Sequence, residues 1–407
     1  MKLKLCIVAL LVCLATSLSA SAQTTETANI HVKETAGIRR SGYPVSARVP
    51  LAKGTLSDAA HAKLMLNDRE IPIQLSAESR WPDQSVQWLD VDFNATIGPM
   101  EQQTYRLEYG NDVKSAAAGR GLNVMETPEA VQVGNVRFNK KGAPLVLSVH
   151  YRQEDIGSGD NGFAVTDMSG AAHDLLASEA SKVEVLKPGP FLVAVRYSGK
   201  AAIDGSYSVP FTVTAEMPNS KTWVKYSLTV DDPSKRLREV AFNTPLSFGP
   251  FPWLWDFGTG SWSYGSFRNP TDSVILTQTV KPTGSDWEIK SGAKGQETSY
   301  EVAAGNRPKV AEGWGHFQDG KEVVAFGFDK FGRLPGTYTV RFDAQGQASF
   351  RYASAAPQTH YDLTIYQHYV ASPTPIGAVT SPVSMLNGLS AICDPEQYRK
   401  AGLPIPK

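Results

Sequence analysis

The stretch of residues 251–268 is rich in aromatic residues and glycines and holds three of the eight tryptophans of the chain. Sugar rings present apolar C–H faces that stack on aromatic planes, and their rims bond to Asp, Asn and Arg side chains. The stretch therefore predicts a saccharide-binding platform. Its substrate-binding candidates, with one tryptophan from a later aromatic segment, are Trp253, Trp255, Asp256, Trp262 and Trp314.

The same stretch has a second interpretation as part of a hydrophobic core. Trp253 and Trp255 alternate as in a strand, and large aromatic side chains are often buried. Trp262, Tyr264 and Arg268 have glycines close by, which favours exposure. Both interpretations stay open for the two alternating tryptophans.

Three residues are candidates for catalysis on an acidic sugar: Tyr264, Arg268 and His316. Removal of a proton next to a uronate carboxylate needs a cation that neutralises the carboxylate and a base that takes the proton. An arginine beside a tyrosine favours the phenolate and lowers the phenol pKa, so the tyrosine can serve as the base. The alternative for His316 is a structural histidine within a strand.

The metal ligands and nucleophiles of common enzyme classes are scarce in the sequence. Cys6 and Cys13 lie in the first 22 residues and leave Cys393 alone, which excludes an intrachain disulfide, a cysteine-rich zinc site and a CxxC redox motif. A calcium loop made of Asp155, Asp160 and Asn161 is an alternative, although the EF-hand spacing is absent. We therefore predict neither a metal nor another cofactor.

Charge and composition limit the class of partner. The chain has 407 residues with 40 basic and 40 acidic side chains, so no net charge attracts nucleic acid. A polysaccharide or oligosaccharide is the partner that the aromatic stretch predicts. The oligomeric state stays open.

The first 22 residues have the pattern of a secretory signal peptide. Lys2 and Lys4 precede an apolar run, and small residues at positions 20–22 supply the cleavage pattern before Gln23. The apolar run is too short to cross a bilayer. We therefore expect a periplasmic or secreted protein without a membrane anchor.

Nearly every later segment has the alternation and the β-branched and aromatic content of a strand, which predicts an all-β fold. Residues 62–66 and 71–75 flank a turn at 67–70, as in a hairpin. The other predicted strands are 86–93, 104–109, 145–151, 191–197, 211–215, 223–230, 274–280, 323–328, 338–342 and 361–369. Short helices are expected only at 171–180 and 395–401.

A run of small residues at 115–121 suggests a domain boundary. It separates a small N-terminal β-barrel at 23–114 from a large antiparallel β-sandwich at 120–372, which is the two-sheet core that long antiparallel strands need. Residues 373–407 are expected to form a C-terminal tail that packs along the surface or frays.

Three segments of the N-terminal part resemble the N-terminal barrel of the exo-rhamnogalacturonan lyase-like family. They are residues 42–54, 71–74 and 80–89, the last reading RWPDQSVQWL. The family signature is similar to R-W-P-D-G-S-V-x-W, so Gln84 replaces a glycine, which bears on turn geometry. Residues 312–317, EGWGHF, are similar to part of the family's central β-sandwich.

The resemblance implies a RIFT-like barrel followed by a β-sandwich, and an acidic pectin-type glycan as the ligand. Full-length members continue into a C-terminal α/α toroid, for which this sequence shows no helical repeat. Two functions therefore stay open: β-eliminative cleavage of the glycan, or non-catalytic carbohydrate binding or scaffolding. No catalytic residue of the family is carried over to this sequence.

Overall fold

The computed structural model describes residues 25–116, 121–151, 154–155, 157, 159–177, 182–260, 262–300, 308–371 and 381–406. The predicted signal peptide at 1–22 lies outside these residues. So does most of the run of small residues in which the domain boundary is predicted. The proposed domain limits therefore stay predictions.

Seven strands form the N-terminal part, which we call the N-terminal unit: β1 (Glu26–Lys33), β2 (Arg40–Pro50), β3 (Ala62–Leu66), β4 (Arg69–Ile71), β5 (Gln74–Arg80), β6 (Val86–Ile97) and β7 (Gln102–Tyr109). Strands β1, β7, β3 and β4 are neighbours in one sheet, and β2, β6 and β5 form a second. Alternate side chains such as Val45, Ala47 and Val49 are buried in a core that the two sheets share.

Seventeen strands follow before residue 300: β8 (Val124–Glu126), β9 (Ala130–Val133), β10 (Val136–Asn139), β11 (Val146–Tyr151), β12 (Glu154–Asp155), β13 (Gly162–Asp167), β14 (Ala172–Asp174), β15 (Lys182–Pro188), β16 (Leu192–Ala202), β17 (Ser208–Pro218), β18 (Trp223–Asp231), β19 (Leu237–Pro245), β20 (Trp253–Gly258), β21 (Trp262–Phe267), β22 (Asp272–Lys281), β23 (Gly284–Ala293) and β24 (Thr298–Ser299). The remaining elements are β25 (Trp314–Gln318), β26 (Glu322–Phe328), β27 (Gly336–Asp343), β28 (Gln347–Ser354), β29 (His360–Ala371), α1 (Ser381–Leu386), β30 (Ser390–Cys393) and α2 (Pro395–Ala401).

Two large antiparallel sheets contribute to one extended hydrophobic core and form the sandwich. The nine-stranded sheet has the order β15-β16-β17-β18-β29-β26-β25-β20-β21, and the eight-stranded sheet has the order β14-β13-β19-β28-β27-β22-β23-β24. A smaller sheet, β12-β11-β10-β9-β8, packs on the same core. The all-β fold class is therefore confirmed.

The local strand predictions are also confirmed, because every predicted run overlaps an observed strand. The predicted hairpin is β3–β4, in which Asn67 and Asp68 form the turn with φ of 48° and 62°. Asparagine and aspartate tolerate this left-handed region better than most residues, which is why the turn forms there.

The helix predicted at 171–180 is wrong in its described part. Residues 172–174 form β14, which pairs with β13. The carboxylate of Asp167 accepts hydrogen bonds from the backbone N–H groups of Ser169 and Ala171, which closes a hairpin turn where a helix was expected. The helix at 395–401 is confirmed as α2. No helix in the described part of the chain is long and apolar enough to cross a membrane.

The C-terminal segment, which was expected to pack along the surface or to fray, instead returns to the N-terminal unit and contributes to its core. Strand β30 pairs with β1, and Cys393 and Tyr398 are buried in the N-terminal core. The Gln397 amide donates to the carbonyl oxygen of Pro50 at 2.7 Å. These buried contacts hold the segment in place, although its proline content predicted a flexible tail.

The outer face of the nine-stranded sheet, which points away from the sandwich core, is covered at one end. The Gln74 side chain of the N-terminal unit bonds with the backbone of Phe191 and Leu192 at β16. Helix α1 packs over β26 and β29, where Met385 contacts a cluster with Ala325. The other end, formed by β25, β20 and the edge strand β21, carries an open cleft.

Candidate functional site

The strand alternation of β20 sorts its residues into two faces. Trp253, Trp255 and Phe257 point into the sandwich core, whereas Leu254 and Asp256 point outwards. The pairing with β21 places Tyr264 directly opposite Asp256. On its other side Asp256 is opposite His316 of β25. Three of the candidate residues therefore form one row across three neighbouring strands.

Asp256 and His316 are in direct contact. The carboxylate accepts from the ring Nδ1 at 2.8 Å and from the His316 backbone N–H at 3.0 Å. The Asp256 side chain is 31% exposed and the His316 side chain 7% exposed. The carboxylate therefore faces the solvent and the imidazole supports it from behind, as when a second group orients an acid–base residue.

A cleft of about 370 Å³ lies over this row, and we call it the dyad cleft. Its lining residues are Leu254, Trp255, Asp256, Tyr264, Gly265, His316 and Gln318. Leu254 is 41% exposed and Tyr264 is 66% exposed, which are high values for an apolar and an aromatic side chain. The Tyr300 hydroxyl donates to the Tyr264 carbonyl oxygen at 2.6 Å and fixes the edge strand at this point.

Two buried polar atoms of the cleft residues have no hydrogen-bond partner within the described part of the chain. They are Nε2 of His316 and Nε1 of Trp255. Buried polar groups are nearly always paired, because an unpaired one costs about 1–3 kcal/mol. The two unpaired atoms therefore lower the stability of the fold at this cleft.

Arg268 lies on the same outer face but lines a different cleft. This neighbouring cleft of about 430 Å³, which we call the arginine cleft, is lined by Phe251, Pro252, Leu254, Ser266 and Arg268. The two clefts share only Leu254 among their lining residues. The structure therefore brings Tyr264, Asp256 and His316 together and places Arg268 beside them. The predicted pairing of Arg268 with Tyr264 is not among the described contacts.

Trp253 is a core residue, and its assignment to substrate binding is corrected. It is 7% exposed, its ring stacks on Phe342 at 6.0 Å, and its Nε1 donates to the carbonyl oxygen of Gly249 at 2.7 Å. A ring buried on both faces offers no surface to a sugar. The core interpretation was the right one at this position.

Trp255 and Trp314 are likewise buried, at 2% and 8% exposed. The Trp255 ring lies over Gly265, where an added Cβ would come within 2.3 Å of it, and the Trp314 ring lies over Gly258, where the distance would be 2.2 Å. Both glycines are therefore required for close ring packing. Trp255 lines the dyad cleft from the core side, and Trp314 packs beside His316. Neither acts as an open platform, which corrects that expectation.

The side chain of Trp262 lies outside the part of the chain that the structure describes. Leu254 and Gln318 were not among the sequence candidates. Leu254 lies on the same strand face as Asp256, and Gln318 lies on the same strand face as His316. Parity is the signal that finds them, because residues two apart in a strand share a face.

The row continues under helix α1. His316 is opposite Ala325, and Ala325 is opposite His368 of β29, whose ring makes an edge contact with Trp223. Burial lowers the pKa of His368 to about 4, with smaller contributions from Lys221 and His316. His368 is therefore neutral at pH 7.

The described residues contain no group of three His, Cys, Asp or Glu side chains that could hold a metal ion. In the predicted calcium loop, the Asn161 amide is bonded to the backbone N–H and carbonyl of Val146 at 2.7 Å each. Asp155 contacts His150 at 3.3 Å. These two side chains already have partners within the protein and do not converge with Asp160 in a described cation site.

Neither a family model nor a curated protein matches the sequence. Solved structures that share the fold include two from Enterococcus faecalis. One is a protein in the glycosyl hydrolase family 38 from Enterococcus faecalis, with a TM-score of 0.51 and 10% identity, covering 90% of this chain and 47% of that chain. The other is an α-mannosidase from Enterococcus faecalis V583, with a TM-score of 0.50 and 10% identity, covering 90% and 46%.

These similarities concern the fold alone, because the identity is low. This chain spans about half the length of the two solved structures that it matches. Both are described as sugar-processing proteins, and neither is described as a rhamnogalacturonan lyase. Membership of the exo-rhamnogalacturonan lyase-like family therefore stays a prediction.

Proposed function

We propose that the protein is exported and binds an acidic polysaccharide on the outer face of β20, β21 and β25. The observation that carries the proposal is the composition of the dyad cleft. It combines an exposed aromatic ring, Tyr264, an exposed apolar side chain, Leu254, and a carboxylate held in place, Asp256. Sugar binding needs this combination, because the ring faces are apolar and the hydroxyls need fixed acceptors.

Glycoside hydrolysis in this cleft has less support. Most glycosidases use two carboxyl groups that flank the scissile bond. Among the described residues that line the dyad cleft, Asp256 is the single carboxylate, and it is engaged by His316. We therefore do not transfer hydrolysis from the structures with a similar fold.

β-Elimination is the second candidate function, and the contact between Asp256 and His316 favours it. In this reaction Asp256 takes the C5 proton of a uronate, the C4–O bond breaks, the electron pair forms the C4=C5 double bond, and the Tyr264 hydroxyl protonates the leaving oxygen. His316 holds the carboxylate in place. Its Nε2 is buried, so His316 is a positioning residue in this scheme.

A binding and turnover experiment tests both functions on one sample. Rhamnogalacturonan is titrated into the chain without residues 1–22, and the same mixture is followed by ultraviolet absorbance of the unsaturated uronate. Tyr264→Ala should weaken binding about ten-fold, because a stacking ring contributes roughly 0.5–1.5 kcal/mol beyond its buried area and that buried area is lost as well. Asp256→Asn should weaken binding and abolish any turnover.

Asp112→Asn is the matched control, because Asp112 is exposed on the N-terminal unit. It should leave binding and turnover unchanged. Binding without an absorbance change makes the protein a recognition module, and binding with such a change makes it a lyase. A wild-type protein that binds no acidic glycan would refute the proposed function.

Export is tested separately, because it rests on the first 22 residues alone. The intact mass of the protein recovered from the periplasm or medium should correspond to a chain that begins at Gln23. A chain recovered in the cytoplasm with Met1 in place would contradict the proposed localisation.

A further inference from the structure

The dyad cleft and the arginine cleft follow one another along the β20–β21 hairpin. Leu254 belongs to both. Tyr264 and Ser266 are outward positions of β21, and Arg268 follows directly after that strand. Arg268 is four positions after Tyr264, which corresponds to about 13 Å at the rise of an extended chain. One pyranose ring cannot cover that length, so a saccharide in contact with both ends has at least two units.

The backbone at Arg268 is fixed and its charge is unpaired. The N–H groups of Arg268 and Asn269 both donate to Oδ2 of Asp272, at 2.8 and 2.9 Å. The Arg268 side chain is exposed, and it forms no ion pair within the described part of the chain. A guanidinium next to the apolar wall of Phe251 and Pro252 is suited to a planar anion.

The two clefts differ in the ionisable side chains that line them. Among the described residues, the dyad cleft has the Asp256 carboxylate, in contact with His316, and the arginine cleft has Arg268 as its single charged side chain. A uronate carboxylate is repelled by Asp256 and attracted by Arg268. Sugar hydroxyls, in contrast, bond well to the Asp256 carboxylate.

We propose that the arginine cleft is a second subsite, which binds the carboxylate of a uronate while a neutral unit of the same saccharide occupies the dyad cleft. This inference rests on the proposed function and specifies its ligand as a chain in which acidic and neutral sugars adjoin. The same arrangement places the uronate in the arginine cleft and not beside Asp256, the base of the elimination scheme. It therefore favours binding over β-elimination.

Calorimetric titration with defined fragments tests the subsite. The probes are rhamnogalacturonan backbone fragments of two and four sugar units and their carboxyl-reduced counterparts. For the wild type, the acidic four-unit fragment should bind more tightly than its reduced form. Arg268→Ala should weaken binding of the acidic fragment about ten-fold and that of the reduced fragment less than about two-fold. Arg268→Lys should recover part of the loss.

Arg137→Ala is the matched control, because Arg137 is an exposed arginine on β10. It should change neither affinity. The inference is overturned if Arg268→Ala weakens both fragments equally or weakens neither while the wild type still binds. A wild-type protein that binds none of the fragments refutes the proposed function, so the two failures are distinguishable. Melting temperatures of all variants should agree, because the Arg268 and Arg137 side chains are exposed.

Discussion

At the residue scale, His316 has two different surroundings for its two ring nitrogens. Nδ1 donates to the Asp256 carboxylate, whereas Nε2 is buried without a partner in the described part of the chain. The carboxylate fixes the tautomer with the proton on Nδ1, because an ionised acid accepts only. The arrangement holds Asp256 at the cleft at the cost of one unpaired buried atom.

His368 should make the folded protein less stable at acidic pH. Its pKa of about 4 in the folded protein, set mainly by burial, lies below its value of 6.5 in the unfolded chain. The unfolded state therefore binds the proton more readily at any pH in between. The free energy of unfolding should fall on the order of 2 kcal/mol as the pH drops from about 6.5 to about 4.

Urea unfolding curves between pH 7 and pH 4 measure this effect. His368→Gln should flatten the pH dependence in that window, whatever its effect on stability at pH 7. His150→Gln serves as the control, since the His150 side chain is 59% exposed, and it should leave the pH dependence unchanged. An unaltered slope in His368→Gln would show that other groups cause the acid sensitivity.

At the element scale, the strands were predictable because each carries a local signal. Alternation places Trp253, Trp255 and Phe257 on one face and Leu254 and Asp256 on the other, whatever the partner strand is. The partner strand itself is not a local property. Asp256 and His316 were both candidates, yet 60 residues separate them, and only the register of β20 with β25 brings them into contact.

The pairing of the C-terminal segment with the N-terminal unit was even less predictable from local sequence. Residues 390–393 have little strand signal of their own, and β30 pairs with a strand about 360 residues earlier in the sequence. A proline-containing segment near a chain end usually predicts a mobile tail. The buried side chains of Cys393 and Tyr398 reverse that expectation, because they complete a core that the seven N-terminal strands leave open.

Removal of the Tyr398 ring should therefore destabilise the N-terminal unit. The side chain is 3% exposed and its ring lies 6.2 Å from that of Trp88. Tyr398→Ala should lower the free energy of unfolding by about 3 kcal/mol, as expected for the loss of a buried aromatic ring. Ile405→Ala, at a residue 44% exposed in the same segment, should change it by less than about 0.5 kcal/mol. Equal stabilities in denaturant titrations of the two variants would contradict the role assigned to α2.

At the scale of the whole molecule, the N-terminal unit and the sandwich are joined by polar contacts. Lys187 of β15 reaches across to Asp92 at 2.8 Å and Asp90 at 3.0 Å on β6. Asp92 is 1% exposed, and burial raises its pKa although Lys187 opposes that rise. Burial also lowers the pKa of Lys187, but the two carboxylates outweigh burial and raise it. Lys187 and the two aspartates therefore form a largely buried ionic link between the two parts of the fold.

Substitution of Lys187 tests whether the link stabilises the fold through its charge. Lys187→Ala leaves Asp92 buried with the Ser46 hydroxyl and without a cation, which should cost about 3 kcal/mol at pH 7. The pKa of Asp92 then rises further above its unfolded value, so the folded state binds a proton more readily and the loss shrinks as the pH falls towards 5. Lys200→Ala, at an exposed lysine on β16, should show no loss at either pH. Unfolding measured at both pH values distinguishes this from a packing effect, because a lost packing contact would cost the same at pH 7 and pH 5.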